Sequence, residues 1–371
     1  MNPQTNSDKF GSYYAALRYI ESLDNVSGSY QKTNIKAHPH PVMFLERMQE
    51  FLDMIGNPEK DFKYIHITGT AGKGTVSAWV HSELVRAGKK AVLFTSPHVS
   101  STIEKIKVDY ELMDPLAFAD IVESLKPHID AALMSGRYGT PSYFEIMLAI
   151  ALTYFRRKKC EYVVLEVGLG GRYDATNIIK DPLVTAITNI DLDHTAVLGP
   201  RLEDIAKDKA GIIKKSSEFF TTEDRPELLA IFKEACSSAG AKFNALPVNG
   251  LDYQKRNRLL VAAICQALGI IYGENELEPL PELPARFEIV EKKPLVIIDG
   301  AHNPSKMSST ISNLNKIKYN NLVAVVAIAA DKDWSKMLEP LIPQVSKIYF
   351  TRFTSQIRQC VSPKDLALKA G

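Results

Sequence analysis

Four cysteines in 371 residues, none in a C-x-x-C pair, leave no framework for a structural zinc or a disulfide scaffold. Cys160, Cys236, Cys265 and Cys360 are scattered, a usage that suits a reducing cytoplasm. Charge of one sign is lacking as well. Lys+Arg at 45 against Asp+Glu at 43 leaves a formal +2, which gives no pull toward nucleic acid or an acidic partner. Long apolar runs are missing. The greasiest stretch, "IMLAIALTYF" (Ile146–Phe155), is roughly half a membrane span and stops at Arg156 and Arg157, so it reads as a buried helix. The opening "MNPQTNSDKFGSYYAAL" has no apolar core of the kind a secretion signal needs. No internal repeat and no low-complexity tract is present.

What is present is alternation. Tyr64–Thr68, Ala91–Thr95, Tyr162–Glu166 and Val184–Ile190 are short apolar runs that read as buried strands. Between the first two, Thr75–Arg86 puts Val76, Val80 and Leu84 on one helical face, and Gly88 closes the helix. Strand–helix–strand order with buried strands implies parallel pairing in a doubly wound α/β sheet. The length favours two domains. The division falls at "GENELEPLPELPARFE" (Gly273–Glu288), whose three prolines and five glutamates hold an extended linker. A second alternation follows, Leu295–Asp299, a helix after Pro304, Leu322–Ala329 and Lys347–Thr351. We therefore expect a first domain over 1–280 and a smaller α/β domain over 281–371. The smaller one ends at "SPKDLALKAG" without its expected closing strand.

The stretch "GTAGKGT" between the first strand and helix carries the first chemistry. Gly69, Gly72 and Gly74 let the backbone approach a polyphosphate, and the helix N-terminus behind them supplies positive potential. Lys73 adds a mobile cation, and Thr75 a hydroxyl for phosphate or Mg2+. The common spacing G-x-x-x-x-G-K-[ST] is not met, because Ile67 stands five before Gly72 and Gly74 separates Lys73 from Thr75. A glycine turn with a chance lysine is the bland alternative; the strand before and helix after favour a nucleotide.

Three other strand ends carry polar groups, where open α/β sheets concentrate function. "TSPH" offers Ser96 and His98. "LEVGLGGRYDATN" offers Glu166, Arg172 and Asp174, and "NIDLDH" offers Asp191, Asp193 and His194. Parallel strands would bring these ends to the edge that holds the loop. Glu166, His194 and Ser96 then form a sparse donor set of the kind Mg2+ accepts. Alternatively, His194 caps the next turn and Glu166 pairs with Arg172.

In the order "GTAGKGT", "TSPH", "SYFE", "LEVGLGGRYDATN", "NIDLDH", "KDKAGIIK", "ARFE" and "DGAHNP", the chain resembles the folylpolyglutamate synthase/dihydrofolate synthase family of the Mur ligase superfamily. The resemblance implies a Mur-ligase-like fold: a P-loop-type, mostly parallel sheet domain followed by a smaller Rossmann-like α/β domain. It implies an ATP- and Mg2+-dependent ligase that phosphorylates a folate or dihydropteroate carboxylate and lets the amine of L-glutamate displace the phosphate. These are small-molecule partners, with no nucleic acid or membrane, and a cytoplasmic monomer is expected.

Carried over by position, Gly69, Thr70, Ala71, Gly72, Lys73, Gly74 and Thr75 hold the nucleotide with Asn257, Arg286 and Asp299. Thr75, Ser96, Glu166, His194 and Lys209 surround metal. Lys209 matches a family lysine that is carbamylated, although by sequence alone it is one lysine on a solvated helix face. Lys73, Lys209 and His302 form the catalytic set, and His98, Tyr143, Phe144 and Asp174 lie toward the substrate. For Tyr143 and Phe144, core packing competes with that role; for Asp299, capping of the helix near Pro304 does. Ala71 stands where the family usually has asparagine, so a backbone N–H is what remains there for phosphate. Rival readings are a peptidoglycan-type Mur ligase, a simple NTPase or kinase, and an ATP-binding protein without ligase activity.

Overall fold

The computed structural model describes residues 6–23, 40–135, 137–270, 283–354 and 359–370. The expected linker lies outside them up to residue 282. Two compact units are present, Met1–Pro281 and Glu282–Gly371. Among the described residues no helix is long and apolar enough to cross a membrane.

The first unit is built on eight strands: β1 (Lys63–Thr68), β2 (Ala91–Phe94), β3 (Ile106–Val108), β4 (Glu111–Leu112), β5 (Tyr162–Glu166), β6 (Val184–Ile187), β7 (Glu218–Thr221) and β8 (Lys242–Ala245). Their spatial order is β4-β3-β2-β5-β1-β6-β7-β8. The run from β2 to β8 is parallel, and β3 and β4 add an antiparallel edge. The four apolar runs of the sequence are the four central strands. Their burial is nearly unbroken along each strand, as expected for parallel strands covered on both faces. The flanking strands escape the pattern. β8 reads "KFNA" and is only half covered, and β3 and β4 are two or three residues long.

One face is covered by the helices Pro115–Ser135 and Tyr143–Arg157, whose Phe118, Ile121, Met147 and Ile150 pack with Phe94, Val163 and Leu165. Farther along the same face, Ile205, Phe232 and Cys236 pack with Ile187 and Phe219, and the helices Lys73–Arg86 and Tyr253–Ala267 cover the other face. The apolar stretch Ile146–Phe155 is a buried helix, as read. It starts at Ser142, which accepts the Glu145 N–H while Glu145 accepts the Ser142 N–H at 2.6 Å. Arg47 donates twice to the same Glu145 carboxylate, at 2.9 and 3.0 Å, and both partners are buried.

The second unit pairs β9 (Glu288–Lys292) with β10 (Leu295–Ile298) antiparallel, and β11 (Val323–Val326) with β12 (Lys347–Phe350) parallel. Its core joins Met307, Ile311 and Leu314 of the helix Pro304–Leu314 to Met337, Leu338, Ile328 and Leu366. The stretch Leu322–Ala329 forms a shorter strand than expected, and "SPKDLALKAG" contributes the helix Pro363–Ala370 rather than a strand.

Candidate active site

Strand register gathers the functional ends. Thr68 of β1 pairs with Ile187 of β6, Ile67 with Glu166 of β5, and Leu165 with Phe94 of β2. All four strands point the same way, so the segments after Thr68, Phe94, Glu166 and Ile187 leave from one edge.

The glycine loop after β1 turns tightly against its neighbours. At Gly69 (φ +149°) a Cβ would come within 1.8 Å of the Thr188 hydroxyl. Gly72, left-handed at φ +82°, leads into the helix Lys73–Arg86, and a Cβ there would come 2.8 Å from the Asn257 Oδ1. Gly74 faces Glu166, with 3.2 Å between its would-be Cβ and the carboxylate. Each glycine thus clears space for a particular neighbour. Thr75 is half-buried in the first helical turn. The segment after β6 forms the far wall. Thr70 N–H donates to the Asn189 carbonyl at 2.9 Å, and Asp191 N–H to the Thr70 hydroxyl at 2.9 Å. The Ala71 N–H, expected to remain for phosphate, instead donates to Asn189 Oδ1 at 2.8 Å.

Lys73 and Lys209 meet at a single oxygen. Their Nζ atoms lie 2.9 and 3.1 Å from the Gly69 carbonyl. Lys209 is not on a solvated face; it is 4 % exposed. Burial, and next the nearby Lys73 cation, pull its amine down to about 7, against the opposing pull of Asp208, Asp193 and Asp174. A periodicity argument misses this because the turn Gly168–Arg172 roofs the helix end. A Cβ on Gly171 would strike the Lys209 backbone at 2.8 Å.

Glu166 ends β5 buried, at 4 % exposure, and accepts the Ser96 N–H at 3.0 Å. His194 takes a left-handed conformation (φ 50°) at the start of the short helix Thr195–Leu198, without a side-chain capping bond, and its Nε2 is 3.9 Å from Asp193. Among the described residues no three His, Cys, Asp or Glu side chains could cage a metal by themselves. The donor set nonetheless fits Mg2+, which takes one or two carboxylates and leaves the rest to water and phosphate. Glu166 beside Gly74 provides a buried anion at the first turn of the loop helix. His98 is exposed, and its imidazole is held below its ordinary pKa by partial burial and by Lys105.

Phe144 packs on Phe94 with ring centroids 5.6 Å apart, so part of the aromatic pair is core, as the alternative allowed. Tyr143 is half-buried, and its hydroxyl accepts from Lys105 at 3.2 Å. Asp174 is 1 % exposed and builds its own loop. It accepts from Leu169 N–H at 3.0 Å, Thr176 N–H at 3.0 Å and the Thr176 hydroxyl at 2.5 Å. Loop atoms, rather than open space for a substrate, surround that carboxylate. Behind it, His66 Nε2 lies 2.8 Å from the Thr176 hydroxyl. Sequence reasoning passed over Asn189, Lys105, His66 and the Arg47–Glu145 pair. Only the "TN" directly preceding "IDLDH" hinted at the first.

In the second unit, Asp299 accepts from Phe287 N–H at 2.8 Å and from Ala301 N–H at 2.7 Å. The helix cap is Asn303, which accepts the Lys306 N–H at 2.9 Å, so Asp299 is not the cap. Arg286 lies beside Gly300, where a Cβ would come 3.1 Å from its Nη1. His302 places Nδ1 2.8 Å from the Gly300 carbonyl and Nε2 2.8 Å from the Lys306 amine. The ammonium donates, so Nε2 accepts and Nδ1 carries the proton.

Residues 67–245 match the Mur ligase middle domain, and residues 285–370 the Mur ligase glutamate ligase domain. The chain is 31% identical over 352 residues to a dihydrofolate synthase/folylpolyglutamate synthase of Bacillus subtilis, covering 83% of this chain and 81% of that one. It superimposes on a Mycobacterium tuberculosis folylpolyglutamate synthase complexed with ADP at a TM-score of 0.86 and 25% identity, covering 98% and 86% of the two chains. A bifunctional folylpolyglutamate synthase/dihydrofolate synthase with Mn, AMPPNP and L-glutamate bound matches at 0.80 and 26% identity, over 96% and 87%.

Proposed function

The chain belongs to the folylpolyglutamate synthase/dihydrofolate synthase family of Mur ligases, and we propose on that premise how its own residues make the new amide bond. The enzyme is an ATP-dependent ligase that joins L-glutamate to a folate. The observation that carries the reading is the meeting of Lys73 and Lys209 at the Gly69 carbonyl, with the Glu166 carboxylate across Gly74.

A carboxylate is a poor electrophile at neutral pH, and it repels the γ-phosphate it must attack. The loop helix and Lys73 offset that repulsion by holding the outer phosphates. Glu166, Ser96, Thr75 and His194 would hold Mg2+, which supplies further positive charge between the two anions. A carboxylate oxygen of the folate takes the γ-phosphoryl group and ADP leaves. The glutamate amine then attacks the acyl carbon, the carbon–oxygen bond to phosphate breaks, and the amine loses its proton. Aligning the reactants can supply roughly 7–11 kcal/mol of the barrier.

Lys209, its amine lowered to about 7 and so about half neutral at pH 7, adds CO2 through the neutral amine and releases a proton, which would give a second carboxylate to hold metal. We assign adenine to Asn257, ribose to Asp299, a phosphate contact to Arg286, and a place beside the nucleotide to His302. His98, Tyr143 and Phe144 face the acceptor. Among the described residues no two cysteines are joined by a disulfide, which supports a cytoplasmic setting.

The test is ATP-dependent transfer of radiolabelled glutamate to tetrahydrofolate and, separately, to dihydropteroate. Incorporation into the first is expected; the second arm decides whether dihydropteroate is also an acceptor. No incorporation into either, with ATP binding intact, would remove the reading. Mass spectrometry of the native chain should show Lys209 heavier by one CO2.

A further inference from the structure

The segment Thr188–Asp191 leaves β6 to line the glycine loop, and Asn189 bonds that loop twice. Its backbone carbonyl accepts the Thr70 N–H at 2.9 Å, and its side-chain Oδ1 accepts the Ala71 N–H at 2.8 Å. A backbone N–H can only donate, so the atom facing Ala71 is the amide oxygen, and the orientation of the amide group is settled. The Thr188 hydroxyl approaches the same oxygen at 3.5 Å while donating to the Ala71 carbonyl at 2.6 Å. Both hydrogens on Nδ2 are thereby left for another acceptor, and among the described residues none takes them. The side chain is half-buried, so these donors remain reachable. The loop brings no amide of its own, because Ala71 ends at its Cβ.

We propose that Asn189 is a phosphate-binding residue of this chain, holding the loop through Oδ1 and donating through Nδ2 to the polyphosphate. This rests on the nucleotide-site reading above and adds to it a residue from the opposite wall. A neutral amide suits the position. Asp191 and Asp193 follow in the same turn, Lys73 and Lys209 meet at the Gly69 carbonyl of the loop, and the amide meets the loop as an acceptor and the ligand as a donor without adding charge.

The test is direct binding of ATP and ADP to the full chain, by calorimetry, with no folate present. Asn189→Ala removes both bonds, and about a tenfold loss of affinity is expected. Asn189→Asp keeps an oxygen for the Ala71 N–H but turns an anionic oxygen toward the phosphates. It should lose about a hundredfold, more than Asn189→Ala. A residue that only pins the loop predicts the opposite order, with Asn189→Asp near the native protein, and that order overturns the proposal. A readout on the native chain does not depend on how the variants fold. The Asn189 side-chain amide protons, identified by selective labelling, should move downfield when ADP binds; protons that stay in place overturn it as well. Native chain that binds no ATP sinks the nucleotide-site reading itself, whereas native binding with unchanged variants sinks only Asn189.

Discussion

β5 of the first unit and β11 of the second are both short and apolar, yet they sit in opposite surroundings. Every residue of Tyr162–Glu166 is buried, whereas Val323–Val326 alternates between exposed and half-buried, with Val325 at 71 % exposure. In a strand closed on both faces, a charged residue is costly anywhere but the end. A glutamate ending such a run therefore stands out, as Glu166 does. β10 and β11 are as apolar in sequence yet partly open to solvent, so an aspartate that follows such a run, as Asp299 follows β10, carries less information.

The comparison can be pressed experimentally. The largest effect belongs to the loop: Lys73→Ala should cut kcat about a hundred- to a thousandfold, and unchanged glutamate incorporation would refute the placement of the phosphates. Next come buried pairs of the first unit. Arg47→Met leaves the Glu145 carboxylate, already raised toward neutrality by burial, without its cation. We expect a loss of about 3–5 kcal/mol in urea unfolding, and a KM for folate that rises with it as Tyr143 loses its anchored helix start. Phe232→Ala, fully buried beneath β7, should cost about the same.

A smaller effect is pH-dependent. Burial, and then Lys214, lower His66 to about 3. Unfolded histidine binds its proton near 6.5, so between those values the unfolded chain holds more protons and stability falls as pH falls. The contribution is whole above about 6.5. Melting of the native protein from pH 7 to 4 should therefore decline more steeply than that of His66→Gln, and parallel curves would refute the account. Smallest is Val325→Ala, expected within about 0.5 kcal/mol. A loss as large as that of Phe232→Ala would mean that the contrast between the two units is wrong.

Legibility followed burial. The four central strands, the loop helix with Val76, Val80 and Leu84 inward, and the buried helix at Ile146–Phe155 could all be read from apolar runs and their spacing. Flanking strands such as "KFNA" could not, because a half-covered edge leaves little pattern. Among site residues, Gly69, Gly72 and Gly74 announced a tight turn, while the neighbours that demanded them, Thr188, Asn257 and Glu166, lie 92 or more positions away in sequence. Lys209 carried no local signal, and Asp174, placed toward the substrate by the resemblance, folds under its own turn.

The sequence by itself determined that this is a parallel α/β protein with a phosphate loop and polar strand ends in the order of a folate-directed Mur ligase. Periodicity and motif order are local properties, and they survive without coordinates. Only the tertiary structure decided which groups share a dielectric environment. Lys209 loses water and gains Lys73 as a neighbour, and Asn189 turns its amide oxygen to the loop. Desolvation and hydrogen-bond direction depend on residues that meet through space, and no window along the chain contains them.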